Sequence, residues 1–401
     1  MPKVYRYRSG SDLAIKELLY GELFFASRNE LNDPYDTRVI YKFENPECFL
    51  RLFEIVKEKL IHLPKSLSWN WSPLIEYLNA LKPNYEKLLE ILDDPVFLKM
   101  GEQVISSGDG NSSLRGLYFG GFCSVLKEYI KSYVEKFYYV VSFSHVCDSS
   151  LMWAHYANQH KGYCLEFTPV KNSLFQNPQK KKGFIKINSG CASSVAEFFE
   201  FNDVKYSTMP GSLDGFECFP LSINNLTLSS EDERKRFWDL RKETLLKKYE
   251  KWEYEDETRL MLAGSYPWVS GQFGEFSKND RLFYYDQTQL TGIIFGARMA
   301  SAESKEIEKI VVNVREDLIK NEKCKLLPPF SFYKAVIHES EYRMRISCIG
   351  GLSFCNEKFD ASELEKEIQG YKKLKDGYQR GATKSDFLFA NLKADDEYFS
   401  N

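Results

Sequence analysis

Residues 252–262 read Trp252–Glu253–Tyr254–Glu255–Asp256–Glu257–Thr258–Arg259–Leu260–Met261–Leu262. Alternation of residue type over this stretch predicts a strand, whose successive side chains leave by opposite faces. Glu255, Glu257 and Arg259 then share one face, and Tyr254 and the apolar residues take the other. Three ionisable groups leading into an apolar run are dense for a surface and costly for a core. Carboxylates that close raise each other's pKa, a pattern found where a carboxylate does chemistry; a solvated edge strand is the alternative.

A helix is expected just before this strand, over 231–251, opened by a capping box of Ser230 and Glu233. Strands are expected after it at 282–285, 290–295, 309–314 and 343–347. Upstream, the aromatic and β-branched runs at 138–144 and 162–167 read as strands. The chain opens with a strand over 4–8, a short helix capped by Asp12 and stopped at Gly21, and a buried strand over 23–26. The sequence Asn32–Asp33–Pro34–Tyr35–Asp36 is turn chemistry. Between 46 and 137 the texture is helical: Phe49, Leu50, Phe53, Val56, Leu60 and Ile61 recur at the period of an amphipathic helix. Ser362 and Glu365 form a second capping box in the last fifty residues. The fold class is therefore α+β with a mixed or antiparallel β core from 1–45 and 138–350, a helical insertion at 46–137 and a helical tail at 351–401.

The chain has 401 residues, with 54 Lys and Arg against 57 Asp and Glu, a net charge of −3. This balance excludes disorder and excludes attachment to nucleic acid by bulk charge, leaving room for local basic grooves. Aromatic residues make up 15%, so rings should line the core and a pocket. No stretch approaches the ~20 apolar residues of a membrane span, and no apolar run follows the basic N-terminus, so a cytoplasmic protein with no membrane partner is expected. Nine cysteines are scattered with no C-x-x-C pair, and there are five histidines, so no metal site is expected.

Three further clusters carry chemistry. In Tyr5–Arg6–Tyr7–Arg8 the arginines need an anion, which is either a carboxylate of the chain or a phosphate or ribose hydroxyl of a ligand. The 32–36 stretch is a turn, or a metal site through Asp33 and Asp36 that lacks supporting ligands. Ser142–Phe143–Ser144, with Met152–Trp153–Ala154–His155–Tyr156–Ala157, either packs as core or walls a pocket for a flat ring, with His155 as its polar handle.

These clusters occur in the same order in a bacterial family, domain of unknown function 2971, which the chain resembles over about residues 3–45, 138–170 and 245–345. The family name supplies no activity. More distantly, the chain is similar to ADP-ribosyltransferase-type enzymes, which place Arg or His on an opening strand, Ser or Tyr on a middle strand and a catalytic Glu on a late one. Ser-Phe-Ser stands here in place of their Ser-Thr-Ser triplet. That resemblance implies an ADP-ribosyltransferase-like β core and NAD as substrate. Glu257 would stabilise an oxocarbenium-like state, Glu255 would orient or deprotonate an acceptor, and Arg259 would complete the catalytic set. Arg6 or Arg8, beside Tyr7, would hold the pyrophosphate. Trp153 or Tyr156 would stack on nicotinamide, with Ser142, Ser144 and His155 around it. The implied function is transfer of ADP-ribose to a protein or nucleic-acid acceptor, or NAD hydrolysis, in a toxin or phage-defence setting. A neutralising partner protein would then dock on 46–137 or on the tail. The alternatives are a non-catalytic nucleotide- or partner-binding module, and a metal-dependent nuclease using Asp33, Asp36 and Glu257.

Overall fold

The computed structural model describes residues 2–42, 46–60, 67–83, 85–106, 112–131, 138–188, 191–214, 222–223, 226–227, 231–263, 276–320, 327–354, 378–382 and 387–392. In chain order the elements that matter are β1 (Val4–Arg8), α1 (Asp12–Tyr20), five helices α2 (Pro46–Leu60), α3 (Ser72–Leu81), α4 (Tyr85–Ile91), α5 (Pro95–Val104) and α6 (Ser112–Lys131), then β2 (Tyr138–Ser144), α7 (Ser150–Tyr156) and β3 (Tyr163–Phe167). They continue with β4 (Asn202–Asp203), β5 (Lys205–Ser207), α8 (Glu231–Leu245), β6 (Lys247–Tyr249), β7 (Glu257–Ala263), β8 (Leu290–Phe295), α9 (Ser301–Lys320), β9 (Phe330–Ile337), β10 (Met344–Phe354), β11 (Tyr378–Ala382) and β12 (Phe387–Leu392). The fold is mixed α+β. Its large sheet runs β4-β7-β2-β1-β3-β8-β9-β10-β12-β11 and is antiparallel except for the β8–β9 pair. Among the described residues no helix is long and apolar enough to cross a membrane.

Register decides which side chains can meet, because residues paired across strands point to the same face. Tyr5 lies opposite Ser144, and Ser144 lies opposite Glu257, with Arg259 opposite Ser142. Tyr5, Tyr7, Ser142, Ser144, Glu257 and Arg259 therefore occupy one face. Val4, Arg6 and Arg8 occupy the other, with Phe143 and Leu260. That second face holds the main core, where Ala14 and Leu18 of α1 and Ile307, Val311 and Leu318 of α9 cover Val4, Phe143, Leu165 and Ile293. On the first face α7 lays Met152 and Trp153 over Tyr7, Cys164 and Ile294. The five helices α2–α6 bury an aromatic core of their own around Phe53, Trp71, Phe97, Phe119 and Phe122.

The structure departs from the sequence reading at several elements. Ser11, not Asp12, caps α1, its hydroxyl accepting from the Ala14 amide, while Gly21 ends the helix at φ 65° as its place in the sequence implies. Residues 309–314 lie within α9: Ile307, Val311, Arg315, Leu318 and Ile319 are buried at helical spacing, which overrides the β-branched run. Helix α8 stops at Leu245, six residues short of 251, because the chain turns extended to pair β6 with β5. Its expected cap Ser230 lies outside the described residues. So do Ser362 and Glu365; the described part of 351–401 is strand, since β12 pairs with the end of β10 and β11 pairs with β12.

Arg6 is an expensive residue in this arrangement. Its Nη1 is shut off from solvent with no hydrogen-bond partner, and its guanidinium lies 5.6 Å from the centroid of Phe143. Burial, then the like charge of Arg8, lowers its pKa to about 10. Arg8 instead pairs with Glu17 of α1. An unmatched charge of this kind costs stability. Arg6→Met, which keeps the volume and removes the charge, should stabilise the protein by about 1 kcal/mol in urea unfolding; a destabilised variant would show that the charge has a structural partner.

Candidate functional site

The site begins where the sequence pattern breaks. Glu250–Glu255 forms a 3-10 turn, not the first half of a strand, and Asp256 closes it in the left-handed region at φ 41° before β7 begins at Glu257. Glu255 therefore reaches its neighbours from a turn, whereas Glu257 and Arg259 reach theirs from a strand face. Beside them β6 runs parallel to β5, with Lys248 opposite Tyr206. Asp36 arrives from the 32–36 turn, which Asp33 holds by accepting from the Tyr35 amide at 2.8 Å while the Asp36 amide donates to the Asp33 carbonyl at 3.1 Å.

These elements meet around Arg259, whose side chain has 0% exposure. Its Nε donates to Glu257 Oε1 at 2.6 Å and its Nη2 to Glu257 Oε2 at 2.9 Å and Asp36 Oδ2 at 2.7 Å; its Nη1 reaches the Leu245 carbonyl at 3.3 Å. Lys248 is equally enclosed. Its Nζ donates to Glu257 Oε2 at 2.8 Å and to Glu255 Oε2, and lies 3.6 Å from Asp36 Oδ2. The Tyr156 hydroxyl donates to Glu255 Oε1 at 2.5 Å and accepts from Asn32 Nδ2 at 2.9 Å. Ser144 Oγ donates to the Glu255 carbonyl at 2.6 Å, and the Tyr206 hydroxyl accepts from the Glu257 amide at 2.9 Å.

Three carboxylates thus share two cations, and the imbalance falls on Glu255. Burial would raise Glu257, but Arg259 and then Lys248 overcome it and hold that carboxyl well below its ordinary range. Glu255 moves the other way: burial, with the charge of Glu257, lifts it against the pull of Lys248. Burial, then the bond to Glu255, also lifts the Tyr156 hydroxyl. Neighbouring carboxyls pushed apart in this way can divide acid and base roles.

Above the cluster opens a cavity of about 750 Å³, with Lys248 in its wall. Arg38, Lys247 and Lys251 add cations, and Tyr35, Trp252 and Tyr254 add rings. The cations sit against the rings: Lys248 Nζ is 5.3 Å from the Trp252 centroid, and the Arg38 guanidinium is 5.7 Å from that of Tyr35.

Of the residues singled out in the sequence, Glu255, Glu257, Arg259 and Tyr156 come together, joined by Asp36 and Asn32. Ser144 supports them from below, and Ser142 is exposed on the same face. His155 is exposed at the rim, its ring 6.2 Å from that of Tyr254. Trp153 is fully buried; its indole N–H donates to the Cys147 carbonyl at 2.8 Å and its ring meets Tyr7 edge-on at 5.2 Å. Tyr7 in turn donates to the Val146 carbonyl at 3.0 Å. Arg6 and Arg8 are not brought to the carboxylates, because their strand turns them to the opposite face of the sheet. Among the described residues no three His, Cys, Asp or Glu side chains are placed to hold a metal ion, and the cation between Asp36 and Glu257 is the guanidinium of Arg259. Lys248 escaped the sequence reading because a helix through 251 would leave it as one more surface lysine. The signal was the run Lys247–Lys248–Tyr249 followed by Lys251–Trp252, basic and aromatic residues interleaved at the end of a helix.

The two carboxyls should behave differently when neutralised. Glu257→Gln removes the charged acceptor that Arg259 and Lys248 share and should cost about 3 kcal/mol at pH 7. The depressed pKa of Glu257 contributes stability above the unfolded carboxylate value of about 4.3, lost as pH falls towards the native value, so this variant should also flatten the acid side of the stability profile. The raised pKa of Glu255 has the opposite sign, contributing below that value and losing the contribution as pH rises through the native one. Glu255→Gln leaves two carboxylates facing two cations and should cost no more than about 1 kcal/mol at pH 7. Chemical denaturation of both variants from pH 3 to 8 checks this; equal losses at pH 7 would contradict it.

No curated protein and no solved structure matches the chain, so the likeness to ADP-ribosyltransferases rests on motif order alone. A family model described as "Protein of unknown function (DUF2971)" matches residues 152–260, the stretch that carries Tyr156, Lys248, Glu255, Glu257 and Arg259 together, and to that extent the chain is similar to this family.

Proposed function

We propose that the cavity binds a nucleotide-type ligand, a flat ring that carries phosphate. The observation that supports this most directly is the set of cations interleaved with rings in one cavity: Arg38 against Tyr35, Lys248 against Trp252, and Lys247 and Lys251 beside them. Rings offer stacking to any base, and Arg38, Lys247 and Lys251 offer charge to the phosphates without a strongly basic surface elsewhere. Calorimetric titration with adenine and thymine nucleotides and with NAD should give saturable binding. Trp252→Ala should weaken it roughly tenfold or more, the scale of one lost stacking partner. Absence of binding by every nucleotide tested, with the protein folded, would overturn the reading.

A second reading, cleavage of the nicotinamide–ribose bond of NAD, is favoured by the two carboxyls whose pKa values are pushed apart beneath the cavity. The bond between ribose C1′ and the pyridine nitrogen breaks, and nicotinamide leaves neutral with the electron pair. Carboxylate charge stabilises the ribosyl cation, and an acceptor nucleophile forms the new bond to C1′ while its proton passes to ionised Glu255. Glu257 is the less available of the two, since its oxygens accept from two cations, Arg259 and Lys248, whereas those of Glu255 accept from Lys248 and the Tyr156 hydroxyl. Nicotinamide release, followed with water, protein, RNA and DNA as acceptors, should fall at least about a hundredfold in Glu255→Gln, the loss expected on removing a general base. No release with any acceptor would leave the chain a binding module.

A further inference from the structure

The rings of the cavity do not stop at its edge. Trp252 neighbours Tyr254 at 6.0 Å between centroids, Tyr254 neighbours His155 at 6.2 Å, and His155 neighbours Tyr156 at 6.4 Å. The first two line the cavity; the last two belong to α7 outside it. Tyr254 and Tyr156 pack against the core cluster around Trp153, yet none of the four is fully buried and His155 is exposed, so the row keeps ring surface open to solvent. Tyr156 is fixed by its bonds to Asn32 and Glu255, which makes it a preset platform and not a loose surface ring. A mononucleotide has one base and can occupy one or two such rings. Four in succession, beginning beside Arg38, Lys247 and Lys251, match a ligand with several flat groups joined by an anionic backbone.

We infer that the ligand is a short single-stranded nucleic acid, its end nucleotide in the cavity and the following bases on Tyr254, His155 and Tyr156. This rests on the nucleotide reading of the cavity and deepens it. Sequence-tolerant stacking is the mode of recognition, because every member of the row is a ring and any base can stack on a ring.

The test is calorimetric titration of the full chain with thymidine 5′-monophosphate and with thymidine oligonucleotides of two, four and six units at fixed salt. Affinity should rise at least about tenfold from the monomer to the tetramer and then level off, the scale of one or more stacked bases. His155→Ala, at an exposed position, should shrink that ratio by roughly fivefold or more. Binding of the tetramer should weaken with salt more steeply than binding of the monomer, since more phosphates are neutralised. Equal affinity for monomer and tetramer would overturn the inference and leave the nucleotide cavity standing. An unchanged length gain in His155→Ala would also overturn it. Failure of every thymidine ligand to bind, where adenine nucleotides or NAD still bind, would do so as well; failure of all of them would remove the cavity reading with it.

Discussion

The guanidinium of Arg259 joins parts of the chain that share no regular hydrogen-bonded strand pairing with one another. It grips Glu257 of its own strand, Asp36 from a turn more than two hundred residues earlier, and the last carbonyl of α8. A buried arginine is tolerable only when its donors are met by fixed acceptors, and carboxylates meet them best. The turn at 32–36, the stop of α8 at Leu245 and the entry to β7 are thus held to one point. Lys248 shares Glu257 Oε2 with Arg259 and adds Glu255 to the assembly. The cavity adjoins this assembly through Lys248, which lines it together with Arg38, Lys247, Lys251 and the rings of Tyr35, Trp252 and Tyr254.

That arrangement explains why one acidic group differs from its neighbours. With three carboxyls and two cations enclosed together, the group least tightly paired bears the cost of burial. Glu255 is held by one lysine and one phenol, against the two cations that hold Glu257. Identity of residue type therefore says little here about role; the number of cations around each carboxylate says more.

Much of this was legible in the sequence. The strand at 138–144 declared itself by β-branched and aromatic residues, and the one at 290–295 was placed to the residue. The link between Glu257 and Arg259 followed from their spacing on a strand. What stayed hidden was set by contacts distant in sequence. Period-two alternation ran Glu255 into the strand because nothing local marks Asp256 as left-handed. Helical texture ran α8 through Lys248 because the partner that breaks it, β5, lies some forty residues upstream. Motif order along the chain sets Arg6 and Arg8 beside the carboxylates, but it carries no information about faces. Only the pairing of Tyr5 with Ser144 and of Ser144 with Glu257 assigns them.

The short parallel ribbon between Val39–Lys42 and Gly211–Asp214 has a mechanical consequence. One of its strands directly follows Arg38, and the other directly follows Pro210, so both walls of the cavity run straight into it. The same ribbon is clamped from outside: Val39 and Leu213 pack into the aromatic core of α2–α6, and a Cβ on Gly211 would meet the Thr244 Cγ2 of α8 at 2.8 Å. The helical block is therefore coupled to the cavity as a handle is to a jaw. A displacement of those helices would bear on the ribbon, and through it on the gap between the two walls.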